Sequence, residues 1–145
     1  PSRQFVEMPE VPLPEDCEYE QRYQGRQNLY ALFEMRQIPV PNSQEDGRSR
    51  RWIRTAVEEP TTAGLLSIVG DFLLGRISAV MGRQYRCNSL DNTIRIHCLK
   101  QTRWMMCDIR ISGIASGFCH GEMKIFAEDG TLLAAASQTG VARPA

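Results

Sequence analysis

The stretch from Thr62 to Arg83, TAGLLSIVGDFLLGRISAVMGR, constrains the fold more than any other part of the chain. Leu65, Leu66, Val69, Phe72, Leu73, Ile77 and Val80 recur at helical spacing, while Ala63, Gly64, Ile68, Gly70, Leu74, Gly75 and Ala79 fill the opposite side in place of charges. A run of about 20 residues makes a helix close to ~30 Å long. A helix that is apolar or small nearly all round is buried on most of its circumference. Asp71 and Arg76 interrupt the run, so it reads as a core helix and not as a membrane span. Its start is written in Glu58-Glu59-Pro60-Thr61-Thr62, where a Pro, two hydroxyls and upstream acids suit the positive end of a helix dipole.

Something must cover that helix, and the flanking sequence supplies strands. Upstream, Leu29 to Val40 has strand-like composition, PNSQEDGRSR is a polar loop, and RWIRTAV from Arg51 to Val57 is a second strand. Downstream of Gly82 the pattern changes to period 2. Thr93 to Cys98, Arg103 to Ser112, Phe118 to Ala127 and Thr131 to Val141 are candidate strands, with Glu128-Asp129-Gly130 the clearest hairpin turn. The connections are too short for crossover helices, which predicts a four-stranded antiparallel meander. The 145 residues provide for one core. The order strand, strand, long helix, four strands fits an α+β hotdog fold, an antiparallel sheet wrapped around one long central helix. Residues 1–27 hold four prolines and no sustained period, so they read as a proline-rich linker preceding a domain over 28–145.

Charge and motifs exclude several functions. Seventeen basic and seventeen acidic residues give a net charge of zero, without the cationic excess of a nucleic-acid binder. The five cysteines, Cys17, Cys87, Cys98, Cys107 and Cys119, show no CxxC or other metal-like spacing, and read as reduced small hydrophobes. His97 and His120 are the only histidines, and neither has a triad-like context. No glycine-rich phosphate loop, HExxH or GxSxG occurs.

Three places can carry chemistry. Asp71 puts a carboxylate inside an apolar helix, so it faces solvent, a partner or a polar cavity where it acts as a general base. Gln138 sits in a strand of small residues, where alternation places Leu132, Ala134, Ala136, Gln138 and Gly140 on one face. Its amide is an edge polar group or a group that orients a water without competing for its proton. Asn88-Ser89-Leu90-Asp91-Asn92 lies between the helix and the next strand and reads as a turn.

Together these stretches resemble a known family. SLDNTIRIH followed by DIRISGIASGFCHGEMKIFAEDGTLLAAASQTGVAR is similar to the carboxyl-terminal half of the acyl-CoA thioesterase II family. That family shows a Ser or Thr, an apolar residue and Asp-His, then a small-residue strand ending in Gln-Glu-Gly and an Arg. RWIRTAV resembles its Trp-Ile-Arg strand, LLSIVGDFLL the helix that carries its Asp, and MPEVPLPED the linker between its two halves. The likeness extends over almost the whole chain. It departs from the pattern at Asp91-Asn92, at His97-Cys98-Leu99-Lys100 and at Gln138-Thr139-Gly140.

The resemblance implies a double hotdog whose catalytic residues all come from the second half. By that likeness Asp71 is the base, Ser89 the hydroxyl and Gln138 the amide that jointly hold the water hydrolysing an acyl-CoA thioester. No cofactor or metal is implied, and Asp91 and Arg143 are expected to be structural. The expected partner is an amino-terminal hotdog half or a second hotdog chain, giving an oligomer, with no nucleic acid and no membrane. A non-catalytic hotdog module that binds acyl chains or serves assembly is the alternative. A hydratase would pair a His with a carboxylate, which neither histidine's context offers. The last residues, Ala142-Arg143-Pro144-Ala145, lack a Ser-Lys-Leu type address, so the cytoplasm is the simpler expectation beside the peroxisome of many relatives.

Overall fold

The computed structural model describes residues 1–20 and 27–145. Strands β1 (Glu18–Tyr19), β2 (Phe33–Ile38), β3 (Arg48–Thr55), β4 (Tyr85–Ile96), β5 (Met105–Ala115), β6 (Phe118–Ala127) and β7 (Leu132–Pro144) form one seven-stranded sheet in the order β1-β2-β3-β5-β6-β7-β4. Every pairing is antiparallel. The helices are α1 (Ser43–Asp46), α2 (Ala63–Asp71) and α3 (Ile77–Met81). The inner face of the sheet closes around the helical run, as the sequence predicts for a hotdog.

The downstream strands do not form a simple four-stranded meander. β5, β6 and β7 do, but β4 lies beyond β7 at the edge of the sheet. Leu99 to Trp104 carries the chain from the end of β4 back across to β5 with no strand pairing between the two. The Asn88–Asn92 segment is also not a turn. It runs within β4, where the register slips between Ser89 and Asp91 and leaves Leu90 as the extra residue of a bulge. The α1 helix and the first residues of β3 occupy the expected loop after Val40, and a 3₁₀ turn over Leu29–Leu32 precedes β2.

The long helix is broken into two α-helices by a 3₁₀ turn over Leu73–Arg76. Thr62 caps its start, its side chain accepting from the Leu65 amide at 3.1 Å. Leu66, Val69, Leu73 and Ile77 are fully buried against the sheet, and burial of each such side chain stabilises the fold by about 1.5–3 kcal/mol. Gly70 lets α2 approach β7, since a Cβ there would lie 3.2 Å from Ala136 Cβ. The tighter winding of the 3₁₀ turn carries Arg76 inward, where Nε donates to Ser49 Oγ at 2.8 Å and Nη1 meets the Glu20 carboxylate at 3.1 Å. Glu20 also faces buried Arg51 at 3.6 Å, so one carboxylate ties the chain before β2 to β3 and the helix.

Burial of the helix is less complete than the sequence pattern predicts. Half of Ala63–Met81 is buried, and an uncovered strip runs along Ala63, Gly64, Ile68, Asp71 and Gly75. This run is the described segment long and apolar enough to cross a membrane by length and composition alone, yet it is the helix the sheet encloses.

A second core lies on the outer face of the sheet, formed by Cys17, Ile38, Trp52, Trp104, Met106 and Phe126. The proline-rich opening covers it as an extended strap. Met8 and Val11 pack against it, Trp52 Nε1 donates to the Pro12 carbonyl at 2.9 Å, and the Gln4 side chain bonds Gly130 O and Leu132 N. Leu132 belongs to this outer core and not to the inner face, because the β6–β7 register shifts beside it. From Ala134 to Ala142 the expected alternation holds. Of the linker read over 1–27, residues 21–26 lie outside the described residues.

Candidate active site

Asp71 is the last residue of α2, Ser89 stands at the bulge of β4, and Gln138 points inward from β7. The strand order makes them neighbours, because β4 pairs with β7 so that Asn92 opposes Gln138 and Ser89 opposes Gly140. Gln138 Nε2 donates to Asp71 Oδ1 at 2.9 Å and to Ser89 Oγ at 2.8 Å. All three expected residues line one cleft of about 340 Å³ with Tyr30, Tyr85 and Cys87.

Each side chain is held for a physical reason. Gln138 is 4% exposed, and both Nε2 hydrogens are used on Asp71 and Ser89. Its Oε1 is turned into the protein and makes no hydrogen bond to the described residues. The amide is therefore a brace between carboxylate and hydroxyl, where the sequence suggests a group that orients water. The carboxylate requires an N–H from it, which fixes the amide's orientation. The Ser89 hydroxyl donates to the Asp91 carbonyl across the bulge at 2.8 Å and accepts from Gln138, leaving acceptor capacity toward the cleft.

Asn92, marked in the sequence only as a departure from the family's Asp-His, also joins the site. Its Nδ2 donates to Asp71 Oδ1 at 3.2 Å. Asp71 Oδ1 thus takes two amide N–H groups, and Oδ2 has no bond to the described residues and is available to the cleft, in which Asp71 is exposed. Pairing by register could have identified Asn92, because it lies directly opposite Gln138, but that register is a tertiary fact. Asp91 is not the turn residue expected: it lies within β4, where its Oδ1 accepts the Thr139 amide at 2.7 Å and pins β4 to β7 at the bulge.

Tyr30 closes one side of the cleft. Its ring stacks on Phe72 with centroids 4.9 Å apart, and Phe33 meets Phe72 edge-on at 5.2 Å. On the far side of the same 3₁₀ turn an apolar groove of about 280 Å³ is lined by Leu29, Leu32, Val57, Leu65 and Ile68, with Glu59 at its margin. Cleft and groove therefore share the uncovered strip of the helix. Arg83 donates to Tyr85 Oη at 2.8 Å and stacks over its ring, placing a cation beside the cleft. His120 is away from this chemistry, bonded to Thr139 Oγ1 on the outer face. Among the described residues no three His, Cys, Asp or Glu side chains group as metal ligands.

An antiparallel sheet wrapped around one helical run defines a protein of the hotdog fold. Solved structures agree. A Novosphingobium aromaticivorans structure assigned as a thioesterase has a TM-score of 0.83 and 31% identity, matching 96% of this chain and 55% of its own. A hot dog fold protein of Alicyclobacillus acidocaldarius has a TM-score of 0.82 at 20% identity over 99% of this chain and 57% of its own. The acyl-CoA thioesterase II of Mycobacterium marinum has a TM-score of 0.72 at 23% identity over 99% and 58%. The chain thus spans little more than half the length of these structures. No curated protein is similar enough to match. The acyl-CoA thioesterase C-terminal domain family matches residues 11–142, and the chain belongs to that family.

Proposed function

We propose that the chain is the catalytic half of an acyl-CoA thioesterase, hydrolysing an acyl-CoA thioester to a free acid and CoA. The observation that carries this reading is the convergence of Asp71, Ser89 and Gln138 in one cleft. A water between Asp71 Oδ2 and Ser89 Oγ has both hydrogens accepted. Asp71 takes one proton as the water oxygen attacks the thioester carbon, and returns it to the sulfur as the carbon–sulfur bond breaks. Gln138 and Asn92 fix the carboxylate throughout. No acyl-enzyme is needed, and neither are the cysteines.

The surroundings suit the two ends of such a substrate. The apolar groove beside Ile68 suits the acyl chain. Arg83, Arg86 and Arg143 are exposed near the β4–β7 end of the cleft and suit the phosphates of CoA. The outer edge of β4 and the bare strip along α2 are the surfaces on which a second hotdog would pack, since an open strand edge and an uncovered apolar helix face both favour a partner. That partner is an amino-terminal half or another hotdog chain.

The test is release of free CoA from a series of acyl-CoAs by the purified protein, followed with a thiol reagent. Turnover supports the hydrolase. Protection against unfolding by acyl-CoA without CoA release favours a non-catalytic acyl-binding module.

A further inference from the structure

Cys87 on β4 and Cys119 on β6 flank β7 and face each other across it, opposite Ala142 and Gly140 respectively. Their sulfurs are 3.2 Å apart. Both are free thiols, and no other pair of cysteine sulfurs is in contact among the described residues. Gly140 makes the meeting possible, because a Cβ there would lie 2.7 Å from Cys87 Sγ, 2.6 Å from Leu74 Cδ1 and 2.9 Å from the Asn88 carbonyl oxygen. Cys119 is fully buried. Cys87 lines the cleft with Ser89 and Gln138, so the pair is reached from the catalytic side.

The geometry decides what the pair can hold. Two metal–sulfur bonds of about 2.3 Å bring their sulfurs to about 4.6 Å when collinear, about 3.8 Å at the tetrahedral angle and about 3.3 Å at a right angle. The observed spacing matches the last. Near-right-angled bonds occur at square-planar metal ions and at trivalent arsenic; two thiols suffice for an organic arsenical, whereas no third His, Cys, Asp or Glu groups with this pair as a metal ligand among the described residues.

We infer that Cys87 and Cys119 form a dithiol site for a trivalent arsenical, opening into the catalytic cleft. The condensation is balanced without a change of oxidation state. An arsenic(III) oxide and two thiols give an arsenic bis-thiolate and one water, two sulfur–hydrogen bonds being exchanged for two arsenic–sulfur bonds, with the oxide oxygen leaving as that water. The product is neutral, which suits an interior where charge is costly. Burial, followed by the hydrogen bond to Cys119, pushes the Cys87 thiol up to about 12. That suppresses attack by thiolate on peroxides and alkylating agents, while the condensation takes up neutral thiols. An arsenical on Cys87 projects beside Ser89 and Gln138 and obstructs the cleft. The inhibition this produces rests on the hydrolase reading, whereas the binding does not.

The probe is phenylarsine oxide, added in equimolar amount to the full chain. The expected results are one arsenic retained per chain after gel filtration and two fewer titratable thiols. CoA release is also lost, and returns with 2,3-dimercaptopropanol but not with an equal concentration of a monothiol. Cys119→Ala, with Cys119→Ser as a second variant, retains at least tenfold less arsenic at the same reagent concentration and keeps its hydrolysis. Equal arsenic retention by wild type and a folded Cys119 variant overturns the inference, as does failure of the wild type to retain arsenic. If the protein releases no CoA, the hydrolase reading fails and the arsenic content still decides the site.

Discussion

Gln138 Nε2 lies 2.9 Å from Asp71 Oδ1 and donates a hydrogen bond to it, joining two residues 67 positions apart in the chain. The bond leaves the other carboxylate oxygen to the cleft and gives the helix-borne acid a fixed direction. Asp71→Asn keeps the size of that side chain but removes the base. Hydrolysis is expected to fall at least about a hundredfold, the scale of general-base catalysis, with thermal unfolding little changed. Steady-state rates of CoA release check it, and wild-type turnover by the variant would sink the mechanism.

Gln138→Glu places a second carboxylate against Asp71. Two carboxylates so close cannot both ionise readily, so the pair holds a proton to higher pH than Asp71 alone. The base is then protonated at pH values where the wild type works, and activity returns as the pH rises. The kcat/KM profile is expected to shift its acid limb upward, while Gln138→Ala lowers activity without that shift.

Ile68→Trp fills the apolar groove beside the helix face that carries Asp71. Longer acyl-CoAs are expected to lose kcat/KM at least tenfold relative to wild type, with acetyl- or butyryl-CoA little affected. A uniform loss over all chain lengths would place the acyl chain elsewhere.

Gly140→Ala introduces a methyl group where three neighbours already stand within 3 Å. Overpacking of this kind costs about 1–3 kcal/mol, readable as a lower denaturation midpoint. Gly113→Ala is the control, since a Cβ there meets nothing within 4 Å, and its effect is expected within about 0.5 kcal/mol.

Acid stability depends in part on Glu34. Burial acts to raise its carboxyl, but hydrogen bonds from Arg54 and Arg36 outweigh that and hold it below the ordinary value of 4.5. A group with a depressed folded value stabilises the protein above its unfolded value, and that contribution is lost as the pH falls below 4.5 through the folded value. Glu34→Gln is expected to flatten the fall in stability between neutral pH and the acid limb, measured by denaturation at a series of pH values.

The sequence by itself determined what depends on neighbours along the chain. Hydrophobic periodicity identified the helix, the Pro and hydroxyls of Glu58 to Thr62 marked its start, and alternation put Gln138 on the small-residue face with Ala134 and Ala136, because helix and strand periods are local consequences of backbone geometry. Asp71 was conspicuous as a charge in an apolar run, and the proline-rich opening as extended chain. Strand order could not be read this way. Hydrogen-bond pairing between β4 and β7 is set by which edge remains open once the sheet has curled around the helix, and local pattern carries no record of that. A meander would have put β4 beside β5. The fold places it beside β7, and from that one pairing follow the contact of Ser89 with Gln138, the reach of Asn92 to Asp71, and the meeting of Cys87 with Cys119 over Gly140. Asp71 and Gln138 stood out in the chain as candidates, Ser89 only through the family resemblance and Asn92 not at all; their arrangement was decided by packing between strands far apart in sequence.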